Sequence, residues 1–419
     1  MTHTIPPDSW QINASDPLAL THVLDLPEFA VTGLEYDDRL DCLVVHCTHV
    51  RDAAQCPTCG TWSPHPHQYE PRAVRDLSWA GHVCYLEFPR RRFKCARCRR
   101  PFTEVVEAVA PQARCTRRYE RYLFAQCRGS TIQDVGRRER LSYKTVEGRY
   151  YRLAAQHEAE TSPESVRRLG IDEIALKKGH GQYVLILTDL ERKRVIAVLG
   201  ERTKEALEAY FETWSLEQRA AVVDVALDLW EPYHLAVRAK LPNARITGDR
   251  FHVMKNLNDR VTQARRAIQR AASATEKKRL KGFRWLLVKN QADLDAQEQA
   301  KLAEMYTAAP LLGRLHELKE AFRTICETAP DRATAAERLR AWIAEVEASD
   351  LSSLRPFVTT LHNWWDAILN YFHDRLTSGF VEGMNNKLKL LKRRAFGYRN
   401  FAHFRLRVLI ECDGSLAAH

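Results

Sequence analysis

The chain has 419 residues, 45% of them hydrophobic and 28% charged, with a net charge of +11. That length outgrows one small core, so about two to four domains are expected. The Lys and Arg excess gathers at Arg90–Arg100, Arg265–Arg284 and Lys387–Arg407, which favours a polyanionic partner. No apolar run suits a bilayer span and no signal pattern opens the chain, so membrane and secreted classes are set aside and a cytoplasmic location is expected. The eleven Cys then read as reduced thiols, with close pairs taken as metal ligands before disulfides.

In chain order, residues 1–26 are polar and uninformative, and Phe29–Val50 reads as two strands around a polar turn. Cys56-Pro-Thr-Cys59 and Cys95-Ala-Arg-Cys98 are the two Cys-x-x-Cys units, and each can offer two thiolates from one tight knuckle to a structural zinc. The segment between them is strand-like and suits a closing hairpin. Cys84, His65, His67 and His82 lie in that interval as alternative ligands, although a lone Cys or His there more often has a structural role.

From Thr116 to Gln156 the pattern turns helical. A helix from Thr131, a turn near Leu141 and a second helix capped by Ser142 have helix-turn-helix spacing. Lys144, Thr145, Arg149 and Arg152 on the second helix are candidates for a DNA groove, the alternative being a plain packing hairpin.

Residues 157–166 read as a linker. Strands follow at Leu169–Ile174, Tyr183–Leu187 and Arg194–Leu199, then a helix from Thr203, a strand at Ala220–Leu227, a helix opened by Glu231-Pro232 and a short strand at Ala244–Thr247. Three antiparallel strands followed by helix, strand, helix and strand is the order of a ribonuclease H-like fold. Gly179-His180-Gly181 is a hairpin-like turn, too weak to be a phosphate loop. Met254–His373 is helical throughout and reads as an all-α insertion, with Trp364 and Trp365 expected in its core. The helix SGFVEGMNNKLKLLKRR then carries an apolar stripe of Val381, Met384, Leu388 and Leu391 beside Glu382, Asn385, Asn386 and Lys389.

Asp172 lies in the first of these strands, Asp228 ends the fourth and Glu382 sits on the late helix. Brought together, three carboxylates repel one another unless cations neutralise them. Two magnesium or manganese ions suit hard oxygen ligands and phosphodiester chemistry. The second ligand is open between Asp228, Asp224 and Asp249, and Asp228 is preferred because it leaves its strand just before a helix. Asp249 and His252 form a supporting pair, and Asn385, one turn after the late Glu, is a further supporting residue. Any one of these Asp residues could instead be a turn former or helix cap.

Taken jointly, CPTC with RRRFKCARC, LGIDEIALKKGHGQYV, ALDLWEPYHLAV, LPNARITGDRFHV and SGFVEGMNNKLKLLKRRAFGYRNF resemble the ISL-three family of bacterial insertion-sequence transposases. The resemblance runs from about Leu26 to Leu409. It implies an N-terminal zinc domain, a helix-turn-helix and a DDE catalytic domain with a helical insertion before the Glu. The family's carboxylates fall on Asp172, Asp228 and Glu382, and its Asp-Arg-Phe-His motif on Asp249–His252.

The expected fold is a multidomain α+β/α/β chain. A β-rich zinc-ribbon-like domain would span 1–110, the helix-turn-helix 111–160, the first part of the catalytic core 161–253, the α-helical insertion 254–375 and the closing core helices 376–419. The expected activity is cleavage and strand transfer at terminal inverted repeats, through two magnesium ions and with structural zinc. Lys389, Lys392 and Arg393 would hold backbone phosphates. At least a dimer is expected on double-stranded DNA, in association with the nucleoid. The competing expectations are a DNA-binding regulator that leaves strands whole and a general nuclease indifferent to repeats.

Overall fold

The computed structural model describes residues 17–161, 165–177, 182–273, 283–375, 379–395 and 397–413, with the backbone alone at 177, 283–284 and 379–382. The Gly179–Gly181 turn, part of the linker expected at 157–166, and part of the basic run between Arg265 and Arg284 lie outside these residues. The chain divides into two compact units, Met1–Gln156 and His157–His419.

The first unit opens with a helix, Pro17–Leu24, followed by strands β1 (Phe29–Asp37), β2 (Cys42–His49), β3 (Ala54–Gln55), β4 (Trp62–Ser63), β5 (Pro66–Trp79), β6 (His82–Lys94) and β7 (Pro101–Thr103). Four of them form a sheet in the order β1-β2-β6-β5, and β7 adds to β6. β6 buries Cys84, Leu86 and Phe88 at alternate positions, the period of a strand with one face on a core. That core also takes Phe29, Val31, Val45 and Val74.

Three helices complete this unit: Arg117–Cys127, Ile132–Arg138 and Tyr143–Glu160. The first two begin on hydroxyl caps, Thr116 to the Tyr119 N–H and Thr131 to the Asp134 N–H. Ser142 Oγ likewise accepts from the Thr145 N–H at the start of the third, which satisfies amides that the helix cannot. A Cβ at Gly136 would stand 2.9 Å from the Leu141 carbonyl oxygen, and the Leu141 N–H donates to the Gly136 carbonyl at 2.8 Å. The turn between the second and third helices therefore needs glycine there. Gly136→Val is expected to cost about 1–3 kcal/mol in urea unfolding; an unchanged midpoint would show that the turn can relax.

The second unit begins with β8 (Arg168–Lys177), β9 (Gln182–Asp189) and β10 (Arg194–Leu199), paired antiparallel in sequence. Helices Lys204–Glu212 and Leu216–Ala221 lead to β11 (Asp224–Leu227), and helix Glu231–Lys240 leads to β12 (Arg245–Gly248). The sheet order is β10-β9-β8-β11-β12, with β11 parallel to both β8 and β12. Parallel central strands covered on both faces should be largely apolar, and Val225, Ala226 and Leu227 of β11 are all buried. One face packs Leu169, Ile171, Leu185 and Val225 against Phe211, Tyr233 and Val237. The other packs Ile174, Val184, Ile186 and Val198 against Met384, Leu388, Leu391, Phe404 and Val408. The stripe expected on the late helix is thus its sheet-facing side, although the Val381 side chain lies outside the described residues.

Between β12 and that helix the described chain is helical, from Arg250–Ala271 to Trp365–Asp374. Its own core joins Val253, Leu257 and Val261 to Phe322, Trp342 and Phe357, and Trp364 and Trp365 pack against it partly buried. Two late helices, Gly379–Arg394 and Phe401–Glu411, return to the sheet.

Candidate functional site

In the parallel register Leu227 of β11 stands opposite Ile171 of β8 and Gly248 of β12. The next residue on each strand is an aspartate: Asp172, Asp228 and Asp249. Strand alignment alone therefore sets three carboxylates in a row at one level of the sheet.

Their surroundings differ. Asp172 accepts the Glu173 N–H on Oδ1 and Asn385 Nδ2 on Oδ2, both at 2.6 Å. Burial pushes its carboxyl above the usual range, against the lowering effect of those two donors and of His252. Asp228 uses Oδ1 for the Leu229 N–H at 2.6 Å, while its Oδ2 lies 3.9 Å from His252 Nε2. Asp249 is the N-cap of helix Arg250–Ala271: Oδ1 takes the Phe251 N–H at 3.1 Å and Oδ2 meets His252 Nδ1 at 2.9 Å. Asp228 keeps 34% side-chain exposure and Asp249 only 5%. Asp228 thus has an oxygen available to an incoming cation, whereas Asp249 is almost fully enclosed and is engaged in capping its helix and orienting His252.

Asp224 lies at the other end of β11, where Arg245 at 2.7 Å and Arg168 at 3.5 Å neutralise it. It stands four residues before Asp228 and does not join the row. His252 is pulled down by burial, but its hydrogen bond to Asp249 and the charges of Asp228, Asp249 and Asp172 outweigh this, so its net shift is upward. An imidazolium suits a cluster of anions. Glu382 precedes Asn385 by three residues on helix Gly379–Arg394, and its side chain lies outside the described residues. The Asn385–Asp172 bond brings this helix to the row.

Strand alternation sends Glu173 to the opposite face from Asp172. There it pairs with Arg202 at 2.6 Å and accepts the Tyr233 hydroxyl at 3.2 Å. The Arg202 guanidinium lies 4.5 Å from the centre of the Trp230 ring, so a cation–aromatic stack backs the loop that carries Asp228. Sequence reasoning missed this buttress, for which the adjacent Asp172-Glu173 carboxylates were the available signal.

In the first unit the four expected sulfurs converge. Cys56 Sγ is 3.7 Å from Cys98 Sγ and Cys59 Sγ is 3.5 Å from Cys95 Sγ, with all four ligand atoms within 4.8 Å of one another. Tetrahedral Zn–S bonds near 2.3 Å imply sulfur separations of about 3.8 Å, so the geometry fits zinc. The knuckles are built alike: Gly60 N–H donates to the Cys56 carbonyl and Arg99 N–H to the Cys95 carbonyl, each at 2.9 Å. The Thr61 hydroxyl and N–H hold the Cys59 thiol down to about 6, which favours the thiolate a metal needs. Cys84 is instead buried in the sheet core, where burial pushes it up to about 12. Neither it nor His65, His67 or His82 joins the cluster.

The candidate DNA contacts divide. Lys144 is exposed, Arg152 pairs with Glu120 at 2.8 Å, and Thr145 shares a 2.8 Å hydroxyl contact with Ser142. Arg149 follows Val146 by three positions, on the buried stripe, and one guanidinium nitrogen is enclosed. Lys389 and Arg393 are exposed, whereas Lys392 is half-buried and its ammonium donates to the Ala175 carbonyl of β8. No helix among the described residues is long and apolar enough to cross a membrane.

Comparison with known proteins bears on both units. A family model described as "Transposase" matches residues 169–408, "zinc-finger of transposase IS204/IS1001/IS1096/IS1165" matches 52–98, and "Helix-turn-helix domain of transposase family ISL3" matches 104–154. The transposase for insertion sequence element IS1001 of Bordetella parapertussis is 29% identical over 364 residues, covering 86% of this chain and 89% of that protein. The transposase for IS1557 of Mycobacterium tuberculosis is 26% identical over 356 residues, with 78% and 79% covered. The zinc-finger match encloses the four clustered cysteines, and together they support a structural zinc.

Proposed function

The chain belongs to the ISL3 family of insertion-sequence transposases, and from that membership we propose that the carboxylate row is the centre at which this DNA transposase cuts and joins strands. The carrying observation is that Asp172 and Asp228 stand level on adjacent parallel strands while Asp228 keeps an oxygen without a strong protein partner. Asp172, Asp228 and Glu382 are the catalytic carboxylates, and they would hold two magnesium or manganese ions. When bound, such ions activate the attacking oxygen and stabilise the leaving oxygen of a phosphodiester. The donor set suits them, being hard carboxylate oxygens in a buried setting that needs positive charge.

Asn385 holds the Asp172 carboxylate in place, and Asp249 fixes the His252 ring, whose Nε2 is turned toward Asp228. His252 then offers a cation to a phosphate oxygen beside the row. Asn385→Ala is expected to lower cleavage about 10–100-fold, the range for losing a partner that orients a metal ligand, with duplex binding retained. Equal loss of binding and cleavage would make its role purely structural.

The strand order β10-β9-β8-β11-β12 supports a ribonuclease H-like core. The helical run from Arg250 to Asp374 supports an α-helical insertion within it. We assign the zinc-binding domain to 1–110, the helix-turn-helix to 111–160, the core to 161–253 and 376–419, and the insertion to 254–375. Terminal-repeat recognition falls to the first two domains, with Lys144 the best-placed contact, and Lys389 and Arg393 hold phosphates. Two ends must be cut and joined, so the working complex is at least a dimer. The test is a labelled terminal-repeat duplex incubated with magnesium. Nicking at the element boundary is expected; binding with intact strands would indicate a regulator, and cutting indifferent to the repeat a general nuclease.

A further inference from the structure

The helix that Asp249 caps does more than place His252. Arg250–Ala271 runs for 22 residues and carries six cations, Arg250, Lys255, Arg260, Arg265, Arg266 and Arg270, against one carboxylate, Asp259. Its inward stripe is Val253, Leu257, Val261 and Ala264. At 100° per residue the opposite side is centred on Arg266, with Lys255, Asp259, Arg270 and His252 within about 40° of it. Lys255, Asp259, Arg266 and Arg270 are exposed, and the described residues provide no carboxylate partner for the three cations. Arg250, by contrast, lies off this face and pairs with Glu327 at 3.8 Å. At the start of the helix Phe251 is 48% exposed and meets the His252 ring edge-on at 5.5 Å.

We propose that this outward face is a phosphate rail that grips the duplex adjoining the scissile bond. The inference rests on the carboxylate row being the cutting centre. His252 belongs both to the row and to the face that bears the cations, so a strand whose phosphate reaches the row continues along that face. From His252 to Arg270 the helix rises about 27 Å, enough to follow about eight base pairs of duplex at 3.4 Å each. The face reads no sequence: Lys and Arg without a planar acceptor partner set affinity and register. Asp259 sits among the cations as a repulsive element that weakens the grip.

The test measures the salt dependence of binding by the full chain to a terminal-repeat duplex extended by flanking DNA. Each phosphate contact contributes about 0.9 to the slope of log K against log salt. The triple variant Lys255→Gln, Arg266→Gln, Arg270→Gln is expected to reduce that slope by about 2.7, and Asp259→Asn to tighten binding. Circular dichroism of each variant should match wild type, since none of these side chains is buried. A triple variant with the wild-type slope, or an Asp259→Asn variant that binds no tighter, overturns the rail. Loss of self-association in sedimentation with an unchanged DNA slope would overturn it in favour of a protein contact. If wild type cuts the terminal repeat while the slope stays unchanged, only the rail fails; if wild type never cuts, the reading of the carboxylate row fails independently.

Discussion

Asp172→Asn is expected to abolish strand cleavage, lowering the rate by about 10³-fold or more, with terminal-repeat binding retained. The substitution keeps the shape and the Glu173 N–H contact but removes the charge that would hold a divalent cation. Charge stabilisation by a bound metal is worth several kcal/mol, and each 1.36 kcal/mol is about tenfold in rate. Both Asp172 oxygens are oriented by neighbours. A gel assay of end cleavage, paired with a binding isotherm, reads both properties. Cleavage within a few-fold of wild type would remove Asp172 from the catalytic set.

Replacing Cys95 by Ser is expected to release the zinc and unfold the ribbon around it. Structural zinc in small folds contributes about 10–16 kcal/mol of apparent binding free energy, and little else holds this region. Its apolar cluster is Ala54, Cys56, Phe93, Cys95 and Phe102, with Cys59 and Cys98 packed against it, so four of these seven residues are the ligands themselves. The neighbouring sheet has a separate core built on Phe29, Val45, Leu86 and Phe88 and should survive. Metal content by atomic emission and near-ultraviolet dichroism test this together. Full zinc retention in Cys95→Ser, or zinc loss in Cys84→Ser, would reassign the ligands.

The sequence made the strand order of the second unit legible because β9 and β11 are apolar runs closed by turn or cap residues. Asp189, the last residue of β9, takes the Glu191 and Arg192 N–H groups at 3.0 Å, as a turn aspartate does. The proposed choice of Asp228 over Asp224 and Asp249 rests on register, since only the pairing across β8, β11 and β12 sets Asp224 against two arginines and leaves Asp228 open. Two short helices escaped notice. Pro17–Leu24 has eight residues and too little periodicity to stand out, whereas Leu216–Ala221 had a readable signal in the Ser215–Gln218 capping box. Side chains with two possible fates were the hardest to place: Arg149 and Lys392 read as DNA contacts by charge, yet three- and four-residue spacing from Val146 and Leu388 carries both toward the interior. Composition shows charge but not the face on which it falls.

The most direct measurement of the central claim is metal-specific rescue at the second carboxylate. Asp228→Cys and Asp249→Cys would each be assayed for end cleavage with magnesium and then with manganese, whose greater tolerance of sulfur distinguishes a metal ligand from an orienting residue. Asp228→Cys should be inactive with magnesium and recover with manganese, while Asp249→Cys should be weakened alike with both. Recovery confined to Asp249→Cys would contradict the assignment and make Asp249 the residue that holds the metal.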